Sequence, residues 1–246
     1  MTNTAKLSTT ALALGLLAAP ALADPMPYTH GDRSFEGYVA TPDGTARGTV
    51  LLVHDWDGLT EHERTQADAL AADGYIAVAL DLFGTDAVLE GFEDYRRETG
   101  ALYADREEFR GRIMAGAEAA AALEGTGAMV IAGYCFGGAA TLEAARAGMD
   151  MAGFVSFHGG LGTPEGQDYS ETPAPVMVLH GSADPVSGMA DLAALMDELQ
   201  SAGVAHEARI FGGARHSFTV PGSNDWDPDA NAGAQAAFRE FLAARF

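Results

Sequence analysis

The sequence has a single cysteine, Cys135, and a single lysine, Lys6. One thiol cannot form an intramolecular disulfide, so the fold does not depend on one. Positive charge is scarce: 14 Lys and Arg residues stand against 35 Asp and Glu residues, for a formal net charge of −21. Nucleic acids and anionic membrane surfaces are polyanions, so this charge balance argues against both as partners.

Beyond the N-terminus, the sequence has no apolar run long enough to cross a bilayer. The first residues instead have the pattern of a secretory leader. Lys6 supplies a positive charge, residues 11–17 are apolar, and Ala21-Leu22-Ala23 is a small-x-small cleavage site. We therefore predict that residues 1–23 are a cleaved signal peptide and that the protein is periplasmic or secreted. Loss of Lys6 would make the mature chain still more acidic.

Internal repeats, low-complexity tracts and linkers are also lacking, so residues 24–246 are expected to form one domain. Hydrophobic residues make up 48% of the chain, enough for a sizeable core. Short apolar runs alternate with amphipathic segments, which predicts an α/β fold with a mostly parallel twisted sheet of about seven or eight strands and helices on both faces. Strands are predicted at 34–40, 48–54, 75–80, 129–133, 153–157, 176–180 and 205–211, and the main helices at 60–72, 105–123, 138–147, 187–201 and 230–244.

The stretch M-V-I-A-G-Y-C-F-G-G, residues 129–138, places Cys135 between a strand and an Ala-rich helix. G-x-C-x-G in this setting is the thiol form of a nucleophile elbow, in which glycines two residues before and after the nucleophile avoid collisions in a strained turn. The N-terminus of the following helix favours the thiolate. The alternative is a buried core cysteine beside a glycine-rich turn, which is common for a lone cysteine.

A cysteine nucleophile needs a base, and the base needs a carboxylate to orient it. Asp184 follows a predicted strand in the turn G-S-A-D-P-V, and His216 follows the last predicted strand in A-R-H-S-F. Each alone has a simpler interpretation, as a turn aspartate and as a surface histidine. Together they complete the order nucleophile, acid, histidine, which predicts a Cys135–His216–Asp184 triad.

These motifs resemble those of the dienelactone hydrolase family of α/β-hydrolases. The similarity rests on G-Y-C-F-G-G, G-S-A-D-P-V and R-H-S-F, and on the earlier blocks L-L-V-H-D-W-D-G-L and D-G-Y-I-A-V-A-L-D-L-F-G. It extends from about Ser34 to the end of the chain. The resemblance implies an α/β-hydrolase fold, a Cys-His-Asp triad and an oxyanion hole made by the backbone N–H groups of Phe136 and Trp56.

The chain also departs from the family pattern. Well-studied members carry a glutamate that assists thiolate formation where this chain has Asp55, one methylene shorter, which leaves its reach to Cys135 open. They bind the substrate carboxylate with two arginines, at positions that here hold Gly84-Thr85 and Val220. Without these cations, neutral substrates should be preferred, because an unpaired buried carboxylate is costly.

The remaining candidates concern the pocket and cofactors. Tyr134, His158 and Phe218 are predicted to line the pocket. His54, His158 and His180 stand singly at strand ends without the spacing of a metal site, so no metal is expected. No dinucleotide or phosphate-binding glycine pattern follows a strand, and no cofactor is expected.

We therefore predict an exported hydrolase of small, neutral carboxylic esters or lactones that is a monomer or a weak homo-oligomer. The alternative is a catalytically weak or inactive small-molecule binding protein on the same fold. Thiol redox chemistry is disfavoured because no second cysteine is present to resolve a disulfide.

Overall fold

A computed structural model describes residues 22–246 as alternating strands and helices. The strands are β1 (Leu22–His30), β2 (Arg33–Thr41), β3 (Thr49–Val53), β4 (Ile76–Leu80), β5 (Met129–Tyr134), β6 (Gly153–Phe157), β7 (Val176–Gly181) and β8 (His206–Phe211). The helices are α1 (Glu61–Ala72), α2 (Phe92–Ala104), α3 (Arg106–Ala121), α4 (Phe136–Arg146), α5 (Met189–Ser201) and α6 (Pro228–Ala243). The predicted elements are confirmed to within a few residues at their ends.

The eight strands form one sheet in the order β1-β2-β4-β3-β5-β6-β7-β8. Six strands, from β4 to β8, are parallel, and β1 and β2 add antiparallel strands at one end. Strand β1 was not predicted. Its sequence contains Pro25 and Pro27, which normally argue against a strand, but an edge strand tolerates proline because one side of it is unpaired. Because β1 pairs with β2 along its length, β2 is not an edge strand.

Alternate residues of the central strands point to opposite faces of the sheet and build two cores. Leu51 and Val78 face the core that includes α4 and α5, whereas Leu52 and Ala77 face the core that includes α1 and α6. Covering both faces requires the continuous apolar strands seen in the sequence. The carboxyl ends of the parallel strands consequently meet at one edge, where open α/β sheets hold their sites.

Helix α1 begins with a capping box formed by Thr60 and Glu63. The Thr60 side chain accepts from the helix N-terminus, and Glu63 Oε2 lies 2.9 Å from the Thr60 backbone nitrogen. Glu63 is fully buried, and its Oε1 also accepts a hydrogen bond from the Asp55 backbone N–H at 3.3 Å. The box therefore fixes the loop after β3 as well as the start of the helix.

The predicted leader, residues 1–23, lies outside the described residues apart from Leu22 and Ala23, which begin β1. Within residues 22–246, the helices are all too short or too polar to cross a membrane.

Candidate active site

Cys135 occupies a strained turn between β5 and α4. Its φ is +50°, a region that residues other than glycine seldom adopt. A Cβ on Gly133 would come within 2.1 Å of the Gly137 carbonyl oxygen, and a Cβ on Gly137 within 2.2 Å of the Val53 carbonyl oxygen. Both flanking glycines are thus required by backbone contacts, as the sequence pattern predicts.

Three side chains from distant parts of the chain meet at this turn. His216 Nε2 lies 2.9 Å from Cys135 Sγ, and His216 Nδ1 lies 2.7 Å from Asp184 Oδ2. Asp184 is itself held by the backbone N–H groups of Val186 and Ser187, at 2.8 and 3.1 Å. The arrangement is a thiol beside an imidazole whose other nitrogen faces a carboxylate.

The electrostatics of Asp184 favour its ionised form. Burial opposes ionisation, but the hydrogen bond and charge of His216, with the two backbone N–H groups, outweigh it, and the pKa of Asp184 is lowered. A carboxylate in this position selects the tautomer of His216 that carries the proton on Nδ1. Nε2 then faces the thiol as a proton acceptor.

Asp55 reaches the thiol despite its shorter side chain. Its carboxyl group interacts with Cys135, and burial, opposed by this contact and by the Trp56 N–H, raises the pKa of Asp55 to about 7. Burial and then the Asp55 charge raise the pKa of the Cys135 thiol well above its usual value. Both shifts favour the protonated forms, so the thiol keeps its proton while Asp55 is ionised.

Two backbone donors lie beside the nucleophile. The Phe136 N–H, at the first position of α4, faces the Cys135 sulfur and favours the thiolate. The Trp56 N–H donates to Asp55 Oδ1. In this arrangement one of the two expected oxyanion donors is occupied by the neighbouring carboxylate.

The three residues expected to line the pocket lie deeper than predicted. Tyr134, His158 and Phe218 are all 0% exposed. Tyr134 packs on Phe157 in the core, with ring centroids 4.7 Å apart, and His158 lies beneath the nucleophile elbow. They support the site from below and do not form its open wall, because all three side chains are packed inside the protein.

Of the strand-end histidines, His54 and His158 are hydrogen-bonded within the protein, whereas both ring nitrogens of buried His180 have no hydrogen-bonding partner among the described residues. His54 Nδ1 lies 2.6 Å from the Asp55 carbonyl oxygen, and its Nε2 accepts a hydrogen bond from the Leu82 N–H at 3.0 Å. Across the part of the chain that the structure describes, no three His, Cys, Asp or Glu side chains group as metal ligands do. Through its two hydrogen bonds, His54 connects the loop after β3 to the loop after β4.

The positions of the two family arginines hold no cation. Thr85 bonds to the Ser34 carbonyl oxygen, and Val220 is half-buried in the loop after His216. Arg215, beside His216, is exposed and pairs with Asp225 at 2.8 Å. These positions offer no positively charged group for a substrate carboxylate.

An aromatic wall beside the site was missed in the sequence. It comprises the rings of Trp56, Phe92 and Tyr95, in edge-on contact at 5.2 and 5.3 Å, and that of Tyr103, which packs on Phe136. Residues 92, 95 and 103 share one face of α2, and this helical spacing is the signal that would have revealed the wall.

Two cations lie next to this wall: Arg96, whose guanidinium is 5.6 Å from the Phe92 ring centroid, and Arg106, which was also missed in the sequence. The Arg106 guanidinium lies over the Tyr103 ring, 4.9 Å from the centroid. Its Nη1 also pairs with the fully buried Glu143 at 3.2 Å, and Arg110 and Arg146 pair with the same carboxylate. Arg106 is therefore committed to an internal ion network.

Residues 35–246 match the dienelactone hydrolase family. A Salmonella typhimurium protein provisionally assigned as a carboxymethylenebutenolidase is 23% identical, over 85% of this chain and 79% of that protein. The structure of a dienelactone hydrolase-like promiscuous phosphotriesterase from metagenomic libraries is 30% identical, with a TM-score of 0.87 and coverage of 93% of this chain and 100% of that one. A dienelactone hydrolase of Anabaena variabilis shares the fold at 20% identity, with a TM-score of 0.66 over 92% of this chain and 99% of that one.

The match to the family extends through β2, the elbow and the loops that carry Asp184 and His216. The chain therefore belongs to the dienelactone hydrolase family, has the α/β-hydrolase fold of that family and is a hydrolase that acts on ester or lactone bonds.

Proposed function

We propose that this hydrolase uses Cys135 as its nucleophile, His216 as its base and Asp184 as the carboxylate that orients the base. The observation that carries the proposal is the continuous contact from Cys135 Sγ through His216 to Asp184, at 2.9 and 2.7 Å. A nucleophile within hydrogen-bonding reach of a base, which is oriented by a third group, is the arrangement that acyl transfer requires.

The first step forms the thiolate and attacks the carbonyl carbon. Asp55, with a pKa of about 7, assists by taking the thiol proton, and His216 shares this role. When Asp55 becomes protonated, its hold on the Trp56 N–H weakens, because a neutral acid accepts hydrogen bonds less strongly than a carboxylate. The Trp56 and Phe136 N–H groups are then free to bind the developing oxyanion, a contribution of about 3 kcal/mol for each donor.

The second half of the reaction returns the enzyme to its resting state. The proton released by the thiol, including one first taken by Asp55, passes to the leaving oxygen through His216 as the C–O bond breaks, which leaves the acyl group on Cys135 as a thioester. Water then attacks the thioester carbonyl, with His216 as base, and the free acid departs with the thiol restored. For a lactone, the leaving oxygen remains attached to the product.

We further propose that the substrates are small and neutral and that the enzyme acts outside the cytoplasm. Thr85 and Val220 replace the two substrate-binding cations, and Arg106 is paired with buried Glu143. The export proposal rests on the leader pattern of residues 1–23.

The triad is tested by Cys135→Ala and His216→Asn, assayed with a panel of chromogenic short-chain esters. Each change should reduce kcat by about three orders of magnitude or more with the fold retained by circular dichroism. His206→Asn is the matched control, because His206 begins β8 at the opposite edge of the sheet. A Cys135→Ala enzyme with more than a tenth of normal activity would overturn the assignment. Ligand binding without turnover by the unaltered protein would favour the binding-protein alternative.

Substrate charge is tested by comparing kcat/KM for a carboxylated lactone with that for its methyl ester. The methyl ester should be preferred, since a carboxylate in the site would lack a partner. A tenfold preference for the free acid would contradict the proposal and identify another cation, with Arg106 the first to replace by glutamine.

A further inference from the structure

His158 occupies an unusual position directly beneath the nucleophile. It follows β6, is fully buried, and has a φ of +39°. Among the described residues other than glycine, only Cys135 and His158 have a positive φ. Such a conformation costs about 1 kcal/mol or more and persists only where the surroundings impose it. Two adjacent strands therefore both end in strained residues, and these two residues touch.

Both ring nitrogens of His158 are engaged. Nδ1 lies 3.2 Å from the Cys135 backbone nitrogen, which also donates to the Phe157 carbonyl oxygen at 3.0 Å. Nε2 lies 2.7 Å from Thr219 Oγ1. Because the Cys135 N–H is a donor, Nδ1 must be the acceptor, so the ring proton is on Nε2 and is donated to Thr219.

The hydrogen bonds of His158 to Cys135 and to Thr219 join the nucleophile elbow to the loop that carries His216. Thr219 is three residues after His216 in the same loop and is 1% exposed. The imidazole thus connects the backbone of the nucleophile to the loop that holds the base. The rings of His158 and His216 lie 5.5 Å apart without a hydrogen bond between them.

We infer that neutral His158 is a positioning residue that, with Thr219, sets the distance between Cys135 Sγ and His216 Nε2. The inference rests on the proposed triad. A protonated ring could not accept the Cys135 N–H, and its charge would lie beside His216. The groups that face His158 are His216 and Asp184 from the loops after β8 and β7, His62 from α1, and Tyr134 from β5. Burial, followed by the charge of His216, lowers the pKa of His158 well below its usual value, which favours the neutral ring.

The test breaks each contact separately. Thr219→Val removes the acceptor for Nε2 at nearly constant volume, and His158→Asn keeps an acceptor near the Cys135 N–H but cannot reach Thr219. Each should lower kcat on a short-chain ester roughly ten- to a hundredfold, with KM changed less than about threefold, because the loss is one of alignment. The double variant should be no worse than either single variant, since both break the same connection.

Two further measurements separate this role from loss of fold. The rate of alkylation by iodoacetamide reports Cys135 alone, because it is the only cysteine, and should fall in parallel with kcat across pH 6–9. Thr219→Ser should restore activity, and Thr126→Val, which removes a comparable 3.0 Å hydrogen bond remote from the site, should lower Tm without changing kcat.

The inference is overturned if Thr219→Val keeps kcat within twofold of normal, or if the effects of the two single changes multiply. Should Thr219→Val fail to fold, His158→Asn is compared with His158→Gln, which retains the Thr219 contact and loses the Cys135 contact. If His158→Asn and His158→Gln both fold and both have the activity of the unaltered protein, the inference is likewise overturned. High activity in Cys135→Ala would instead reject the proposed triad, so the two failures are distinguishable.

Discussion

At the scale of single residues, Asp55 has the largest influence on the site. It is buried, contacts the thiol, and accepts the backbone N–H of Trp56. The same carboxylate thus favours the neutral thiol and occupies the Trp56 N–H. Under the proposed mechanism, Cys135 would remain unreactive until a substrate carbonyl competes for the Trp56 N–H.

The pH dependence of catalysis should follow the ionisation of Asp55. The pKa of Asp55 is about 7, so kcat/KM should fall as the pH decreases through 7, because the protonated acid cannot accept the thiol proton. Asp55→Asn should lose this acidic limb and about a hundredfold in rate. Asp57→Asn is the comparison, since the charge of Asp57 raises the pKa of Asp55, and its removal should shift the limb to lower pH. Rate profiles from pH 5 to 9 check both.

The same raised pKa has a consequence for stability. A carboxyl group that ionises near 3.8 in the unfolded chain and near 7 in the folded protein binds more protons when folded, so stability decreases as the pH rises between these values. Asp55→Asn should therefore add roughly 2–4 kcal/mol to the free energy of unfolding at pH 8 and much less at pH 5. Urea denaturation at the two pH values measures this. Equal effects at both would mean that Asp55 is not the group responsible.

At the scale of elements, the junction of β5 and α4 depends on close backbone contacts. The N-terminus of α4 lies against β3, and Gly137 approaches the carbonyl oxygens of Val53 and His54. Gly137→Ala should destabilise the protein by roughly 3 kcal/mol, because a Cβ would meet backbone atoms that cannot rotate away. Gly127→Ala is the control, because that glycine has open space around it and an effect within about 0.5 kcal/mol is expected. Urea denaturation compares the two variants, and equal stability of the two would contradict the proposed role of Gly137.

The elements around the elbow could be predicted because their sequence leaves few alternatives. The apolar run before Gly133 and the helix-forming residues after Gly137 specify a strand, a turn and a helix from local pattern alone. The capping box of Thr60 and Glu63 is equally local. The features that were not predicted are set by contacts between distant parts of the chain. The strand at 22–30 contains prolines that only an edge position permits, and the inward turn of Tyr134, His158 and Phe218 depends on which strand lies beside which.

The residues of the candidate site likewise divide into those that the sequence predicts and those that it does not. Cys135, Asp184 and His216 stand out because each follows a predicted strand within a few residues, and the structure brings these three together. Whether Asp55 reaches the thiol could not be decided from spacing, since one methylene is smaller than the error in any inferred position. Thr219 carried no signal, because a threonine in a loop is ordinary and its partner is 61 residues away.

At the scale of the whole molecule, the leader pattern of residues 1–23 predicts a location outside the cytoplasm. The protein recovered from its native host should begin at Asp24, because Ala21 and Ala23 form the cleavage site. Intact-mass spectrometry of the purified protein checks this, and Ala23→Phe should retain the leader. A mass that includes residues 1–23 in the unaltered protein would contradict the prediction.

The two ends of the sheet determine how copies of this molecule can meet. In the hairpin of β1 and β2, the backbone nitrogens of Pro25 and Pro27 point away from β2 and carry no hydrogen, so the outer side of β1 lacks donors at two successive positions. At the far end, β8 carries Glu207 and Arg209. Neither border is a good template for an added strand. We therefore expect crowded copies not to extend one another's sheets by strand addition.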